Sequence, residues 1–380
     1  MHDPGSGYEV PTLSLPERER RWKAVRERMS AEGLDCLVAH AGGASLSALY
    51  LTQIDMDGLA IFPAEGEPTF LLPTDRWLHW AQRSQRWVRD VRAVRDLSTS
   101  AGQLLEEAGA RRVGLVDVKG MSATASQALL SAVSDCETSD ASALVYGLRL
   151  VKSDEEIAMM QRAAEIADTA IDTLLATARS GVKEHEVYAE MYRQLLAGGC
   201  EPTSGLSMES SARPFHPVRK PSMHELYTGE AVVAHINPRY AGYFAHPHVC
   251  VTVGEPTPHI REMFNVANEA FQTFLAGAKP GVSLGDVCRG ALSVIERAGY
   301  DWAKEPLTHS IGLAQQETPV GGVLPNAYPD FELRENQTFG LHPWVGHIAD
   351  EIGIDSGRSV RITKNGAVPF GRPTLSLASV

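Results

Sequence analysis

Leu148–Ala178 reads LRLVKSDEEIAMMQRAAEIADTAIDTLLATA, and the organisation of the chain is worked out from this stretch. Ser153 precedes Glu156 by three residues, the spacing of a capping box. Apolar positions Ile157, Met160, Ala164, Ala167, Ile171 and Leu174 then recur on one helical face. A long amphipathic helix therefore opens a new domain. Beyond it, helical patterns at about 183–197, 260–277 and 284–298 are separated by the strand-like runs AVVAHI, HVCVTVG and TFGLHP. That order predicts an α+β domain, with helices around an antiparallel sheet. Before it, ERERRWKAVRERMSAEG (17–33) places Trp22, Val25 and Met29 on one helical face and stops at Gly33. Short apolar runs, LDCLVAHA, LAIFPAEGEPTFLLP and RVGLVDV, then alternate with helical segments, as in an α/β domain. The expected layout is a leader over 1–16, an α/β N-terminal domain over 17–147 and an α+β C-terminal domain over 148–380.

The chain has 380 residues, 43% hydrophobic and 22% charged, which excludes disordered and fibrous classes. Against 47 acidic residues stand 35 Lys and Arg, a net charge of -12 with no basic cluster. Such a surface does not neutralise a run of phosphates, so neither nucleic acid nor an anionic membrane is an expected partner. Five cysteines without close pairing indicate neither a disulfide framework nor a Cys-x-x-Cys zinc site. A reducing cytoplasm fits, and the N-terminal MHDPGSGYEVP shows no apolar run after a basic stretch.

Most of the 13 histidines fall in the C-terminal half. In AVVAHINPRYAGYFAHPHVCVTVG, His235 ends an apolar run, and His246 and His248 stand two residues apart, on one face of a strand that Pro247 makes irregular. His309 in PLTHSIGL and His342 in TFGLHPW have small, apolar neighbours, so their rings are expected to be buried and to need partners. A single histidine is more often a hydrogen-bonded core residue than a ligand, but a cluster reverses that weighting. Neutral imidazoles suit zinc, iron, copper or nickel, whereas magnesium, calcium and manganese favour carboxylates.

Several motifs together resemble the pita-bread family of creatinase, prolidase and aminopeptidase P. They are LRLVKSDEEIAMMQRAAEIAD, the Gly242-Tyr243 hairpin after AVVAHIN, THSIGLAQQETP, TFGLHP and the closing VRITKNGAVPFG. The first domain, with GLDCLVAHAGGASLSALYLT, is similar to the creatinase N-terminal domain, so the resemblance spans nearly the whole chain. It implies a creatinase/aminopeptidase-like pita-bread fold for the second domain. It also implies, for the metal-dependent members, two ions held by an Asp, a second Asp eleven residues later, a His and two Glu. Here those five places hold His235, His246, His309, His342 and Gly357. Asp355 and Glu351 replace the last carboxylate only if the loop is shifted. Two hard ions need bridging carboxylates to offset their charge, so ordinary dinuclear peptidase chemistry is not expected. The reading is instead a rebuilt site for one transition metal ion (iron, copper, zinc or nickel) held by His235, His246, His309 and His342.

Creatinase supplies a metal-free alternative. Its catalytic histidine matches His216 in FHPVRKPSMHELYTGE, while two of its guanidinium-binding carboxylates fall on His248 and Gly357. Glu317 in QQETP matches a Glu of the family, with Gln316 where peptidases carry a second His; it is either a general acid or base or a carboxylate orienting a histidine. His216, Glu317 and His248 are therefore the candidate catalytic residues. Arg239, Tyr240 and Tyr243 are expected to pack, and His347 to lie in a surface loop. Three functions compete: a His-rich mononuclear metalloenzyme acting on a small amino-acid-like substrate, by C–N hydrolysis or dioxygen-dependent redox chemistry; a metal-free creatinase-type hydrolase using His216; and a catalytically silent binding protein. The resemblance also implies a homodimer.

Overall fold

Ser153 caps its helix as the spacing predicts: its hydroxyl accepts from the Glu156 N–H at 3.2 Å, and the Glu156 carboxylate accepts from the Ser153 N–H at 2.8 Å. The helix runs Asp154–Thr177 and buries Ile157, Met160, Ala164, Ala167, Ile171 and Leu174. The computed structural model describes residues 10–43, 45–215, 220–302, 306–320, 331–373 and 375–380. The chain divides into two compact units, Met1–Leu150 and Val151–Val380.

In the first unit, helix Leu15–Glu32 begins two residues earlier than its apolar periodicity indicates, because Ser14 is the N-cap and Pro16 suits the first turn. It ends at Gly33 in the left-handed region, φ 67°. A six-stranded sheet has the order Asp90–Ala93, Thr69–Leu72, Gly58–Pro63, Cys36–Ala41, Arg112–Val116, Glu137–Asp140. Its pairings are parallel except where Gly58–Pro63 runs antiparallel to both neighbours.

Among the described residues the second unit has two larger sheets and two hairpins, Arg239–Tyr240/Tyr243–Phe244 and Trp344–His347/Ile352–Asp355. Gly205–Ser211, Ala231–Asn237 and His248–Thr252 pair antiparallel, and Ala378–Ser379 adds in parallel at the edge. Helices Asp154–Thr177 and Glu184–Ala197 share a core with this sheet through Ile166, Leu174, Met191, Val232, Ile236 and Val249. The other sheet has the antiparallel order Glu317–Val320, Thr308–Ser310, Thr338–Leu341, Arg358–Thr363, Gly366–Pro369. Helices Pro258–Gly277 and Leu284–Arg297 pack with it through Phe271, Phe274, Ile295, Phe339 and Ile362. The expected α/β plus α+β pita-bread architecture is therefore observed.

Two connections bring the sheets together. His248 and Gly357 exchange backbone hydrogen bonds of 3.0 and 2.9 Å, and hairpin Trp344–His347/Ile352–Asp355 pairs Trp344 with Asp355. Gly346 and Gly353 make room for the Trp344 indole: a Cβ on either would lie 2.7 or 2.2 Å from the ring. His347, expected in a surface loop, belongs to this hairpin and stacks on Tyr300 with centroids 4.8 Å apart.

Candidate metal centre

Strand Ala231–Asn237 is buried at every position and apolar over Ala231, Val232, Val233, Ala234 and Ile236, so His235 is carried into the interior with it. His248 lies directly opposite His235 in the antiparallel register, and their rings stack with centroids 3.5 Å apart. His246 lies before strand His248–Thr252, not within it; its N–H is held by Ser359 Oγ at 2.7 Å. His309 is central in Thr308–Ser310, and His342 follows directly on Thr338–Leu341. Gly340 faces His309 across the pairing, and a Cβ there would sit 2.8 Å from its Cε1, so only glycine leaves space for the ring.

Five imidazoles thus meet in one buried cluster, each residue no more than 5% exposed. The donor atoms of His246, His309 and His342 all lie within 4.8 Å of one another, and those of His235, His248 and Asp355 form a second such group. The two groups touch where His248 Nε2 lies 2.7 Å from His246 Nε2. Oδ2 of Asp355 is 2.5 Å from His248 Nδ1 and 2.7 Å from His235 Nε2. His246 Nδ1 faces the side-chain oxygen of Asn237, and His309 Nδ1 faces the Ser310 carbonyl at 3.0 Å.

Burial keeps the rings of His246, His248, His309 and His342 neutral. Desolvation lowers the His248 and His309 pKa values to about 4, and holds His246 and His342 well below the ordinary 6.5, with neighbouring imidazoles adding to the effect for His246, His248 and His342. For Asp355, burial alone would raise the carboxyl, but the imidazoles of His235 and His248 outweigh it and hold it below the usual range. Its other oxygen, Oδ1, is buried with no hydrogen-bond partner among the described residues. Neutral imidazoles beside one ionised carboxylate form a donor set with lone pairs to give.

The predicted residues are not all brought together alike. His235, His246, His309 and His342 share the cluster, but the near nitrogen of His235 lies against Asp355, while His248 reaches His246. Glu317 is paired with buried Lys152 at 3.3 Å and accepts the Ala314 N–H at 3.2 Å. His216 lies outside the described residues. Tyr243 packs as expected and donates its hydroxyl to Glu156 at 2.8 Å. Lys152 and Asn237 escaped the sequence reading. Asp355 enters the cluster at the end of strand Ile352–Asp355 and lies against His248 and His235.

Two covalently continuous units with this topology, and a polar cluster where the sheets of the second unit meet, define a pita-bread protein. Residues 158–368 match metallopeptidase family M24 and residues 21–151 match the creatinase/prolidase N-terminal domain; the chain belongs to family M24. A Xaa-Pro dipeptidase of Lactobacillus delbrueckii subsp. lactis is 28% identical over 296 residues, 76% of this chain and 79% of that relative. A Xaa-Pro dipeptidase of Pyrococcus horikoshii is 27% identical over 226 residues, 59% of this chain and 63% of that relative. Among solved structures, a Xaa-Pro dipeptidase from Bacillus anthracis superposes with TM-score 0.83 at 22% identity, covering 96% of this chain and all of that one. An X-Pro aminopeptidase from Thermotoga maritima reaches TM-score 0.85 at 22% identity, covering 94% and 99%. No helix among the described residues is long and apolar enough to cross a membrane.

Proposed function

We propose that this chain is a hydrolase of a C–N bond in a small amino-acid-like substrate, built around a site for one transition metal ion held by His246, His309 and His342. The observation that carries this reading is the convergence of three fully buried imidazoles whose donor atoms lie within 4.8 Å of one another. Membership of family M24 and similarity to Xaa-Pro dipeptidases support hydrolysis over the redox alternative.

The donor set does not fit a carboxylate-bridged pair of hard ions. Asp355 is the one carboxylate among the clustered donors, and Gly357, at the place of the last Glu in the resemblance, has no room for a side chain. Imidazoles fit zinc, iron, copper or nickel. Such an ion supplies Lewis acidity, polarising a carbonyl oxygen and making water a stronger acid. The protein's own contribution is a buried cluster of oriented rings: Asn237 and the Ser310 carbonyl orient His246 and His309 through their Nδ1 atoms. Glu317, tied to Lys152 and to the Ala314 N–H, acts here as a positioning residue.

Elemental analysis of protein purified without a metal-binding tag tests this. The expected result is close to one equivalent of zinc, iron, copper or nickel per chain, with cleavage of Xaa-Pro dipeptides that a chelator abolishes. His246→Ala and His309→Ala should each lose most of the metal while remaining folded. Turnover that survives complete chelation would instead support the metal-free mechanism through His216. Neither metal nor turnover would leave a silent binding protein.

A further inference from the structure

Three rings in the cluster, His246, His248 and His309, have their tautomers set by what their Nδ1 atoms touch, and one of them lies beyond the three ligands named above. A carboxylate oxygen accepts and cannot donate, so His248 Nδ1, 2.5 Å from Asp355 Oδ2, presents its proton to it, and His235 Nε2 lies 2.7 Å from the same oxygen. His248 therefore carries its lone pair on Nε2. His246 Nδ1 faces the Asn237 side-chain oxygen, another acceptor, so His246 also carries its lone pair on Nε2. His309 Nδ1 faces the Ser310 carbonyl and leaves its Nε2 lone pair towards Gly340 and His246.

The consequence is an unfavourable contact that a cation relieves. Nε2 of His246 and Nε2 of His248 lie 2.7 Å apart, both with lone pairs and no proton between them. A transition metal ion held by His246 and His248 would take up both lone pairs and relieve that repulsion. We propose that Asp355 is a positioning residue: it fixes His248 as the Nδ1–H tautomer and so presents Nε2 of His248 as a fourth nitrogen donor to the His246, His309 and His342 site, while turning His235 away from it. This rests on the metal reading above. It also accounts for the stacking of His235 on His248 at 3.5 Å, in which two rings share one carboxylate oxygen.

The test uses the full chain, stripped with a chelator and titrated with Zn(II) against a chromophoric competitor. In parallel, Cu(II) is loaded and its nitrogen donors are counted from electron paramagnetic resonance hyperfine structure. Asp355→Asn keeps the size but can turn an N–H to His248 Nδ1 and favour the wrong tautomer. It should weaken zinc about 10–100-fold, the scale on which partners of ligating histidines act, and remove one nitrogen from the copper signal. His248→Ala should remove the same nitrogen. His235→Ala should leave affinity and nitrogen count as in the wild type. The proposal is overturned if Asp355→Asn keeps both wild-type values, or if His235→Ala loses a nitrogen and His248→Ala does not. Should Asp355→Asn fail to fold, the His235 and His248 variants still decide between these outcomes. A wild-type chain that binds neither ion overturns the metal reading itself, a result distinct from failure of the Asp355 variant alone.

Discussion

At position 357 a Cβ would lie 2.1 Å from the Leu341 carbonyl oxygen and 2.6 Å from the His342 Cα, both backbone atoms that cannot swing aside. Gly357 is also hydrogen-bonded through its own backbone to His248. Restoring the family's carboxylate there therefore displaces the strand that carries the site. Gly357→Glu is expected to destabilise the protein by at least about 1–3 kcal/mol from overpacking and to add no second equivalent of metal; a thermal melt with metal analysis checks both. Glu317 raises the corresponding question of role. It pairs with Lys152 where the two side chains are 8% and 1% exposed, so Glu317→Gln leaves a buried ammonium uncompensated and should cost about 3–5 kcal/mol. The double change Lys152→Met with Glu317→Leu removes both charges and should recover much of that loss. If Glu317 only positions its surroundings, turnover recovers with stability. A stable but inactive double variant would show that Glu317 takes part in the chemistry.

At the scale of elements, the carboxylate of Glu156 serves two structures at once. One oxygen closes the capping box on Ser153, and the other accepts the hydroxyl of Tyr243, which is 1% exposed and lies in the hairpin leading to His246. Ser153→Ala should cost about 1 kcal/mol, the usual loss for an N-cap. Glu156→Ala also strands the Tyr243 hydroxyl in the interior, adding about 1–3 kcal/mol. Comparing the two variants and Tyr243→Phe in denaturant titrations checks the difference; equal costs would mean that the hydroxyl finds another partner. The same residues show which features sequence can reveal. Ser153-x-x-Glu156 and the apolar stripe behind it are local, and the helix they predict forms. The apolar runs around His235 and His309 likewise carry those rings inside, because an unbroken buried strand takes every side chain with it. Asp355 stood out only as a conditional stand-in for the last carboxylate, and its contact with His248 was not legible, since it depends on a bridge between Gly357 and His248 and on a hairpin opened by two glycines beneath Trp344. Lys152, next to the cap, reads as a solvated charge until its partner arrives from 165 residues away.

For the whole molecule, the buried cluster couples folding to pH. In an unfolded chain His309 takes up a proton near its ordinary pKa of 6.5, while burial lowers it to about 4 in the folded protein; His248 behaves alike. Between those values the unfolded chain binds more protons, so the stabilisation is complete above pH 6.5 and is lost as pH falls towards 4. The difference for His309 alone is worth roughly 3 kcal/mol, and the neighbouring rings shift in the same direction. The metal-free protein is therefore expected to show a urea midpoint that drops between pH 7.5 and pH 5, with a shallower dependence in His309→Asn. Zinc added at pH 7.5 should raise the midpoint, because a ligand at a thousand times its Kd stabilises by about 4 kcal/mol. At pH 5 the gain should persist, since the folded rings, with pKa values near 4, keep their lone pairs while protons occupy those of the unfolded histidines. A midpoint flat across this range in the metal-free chain would mean that the rings are reached by water and titrate normally, and the desolvated cluster on which the metal reading depends would not exist.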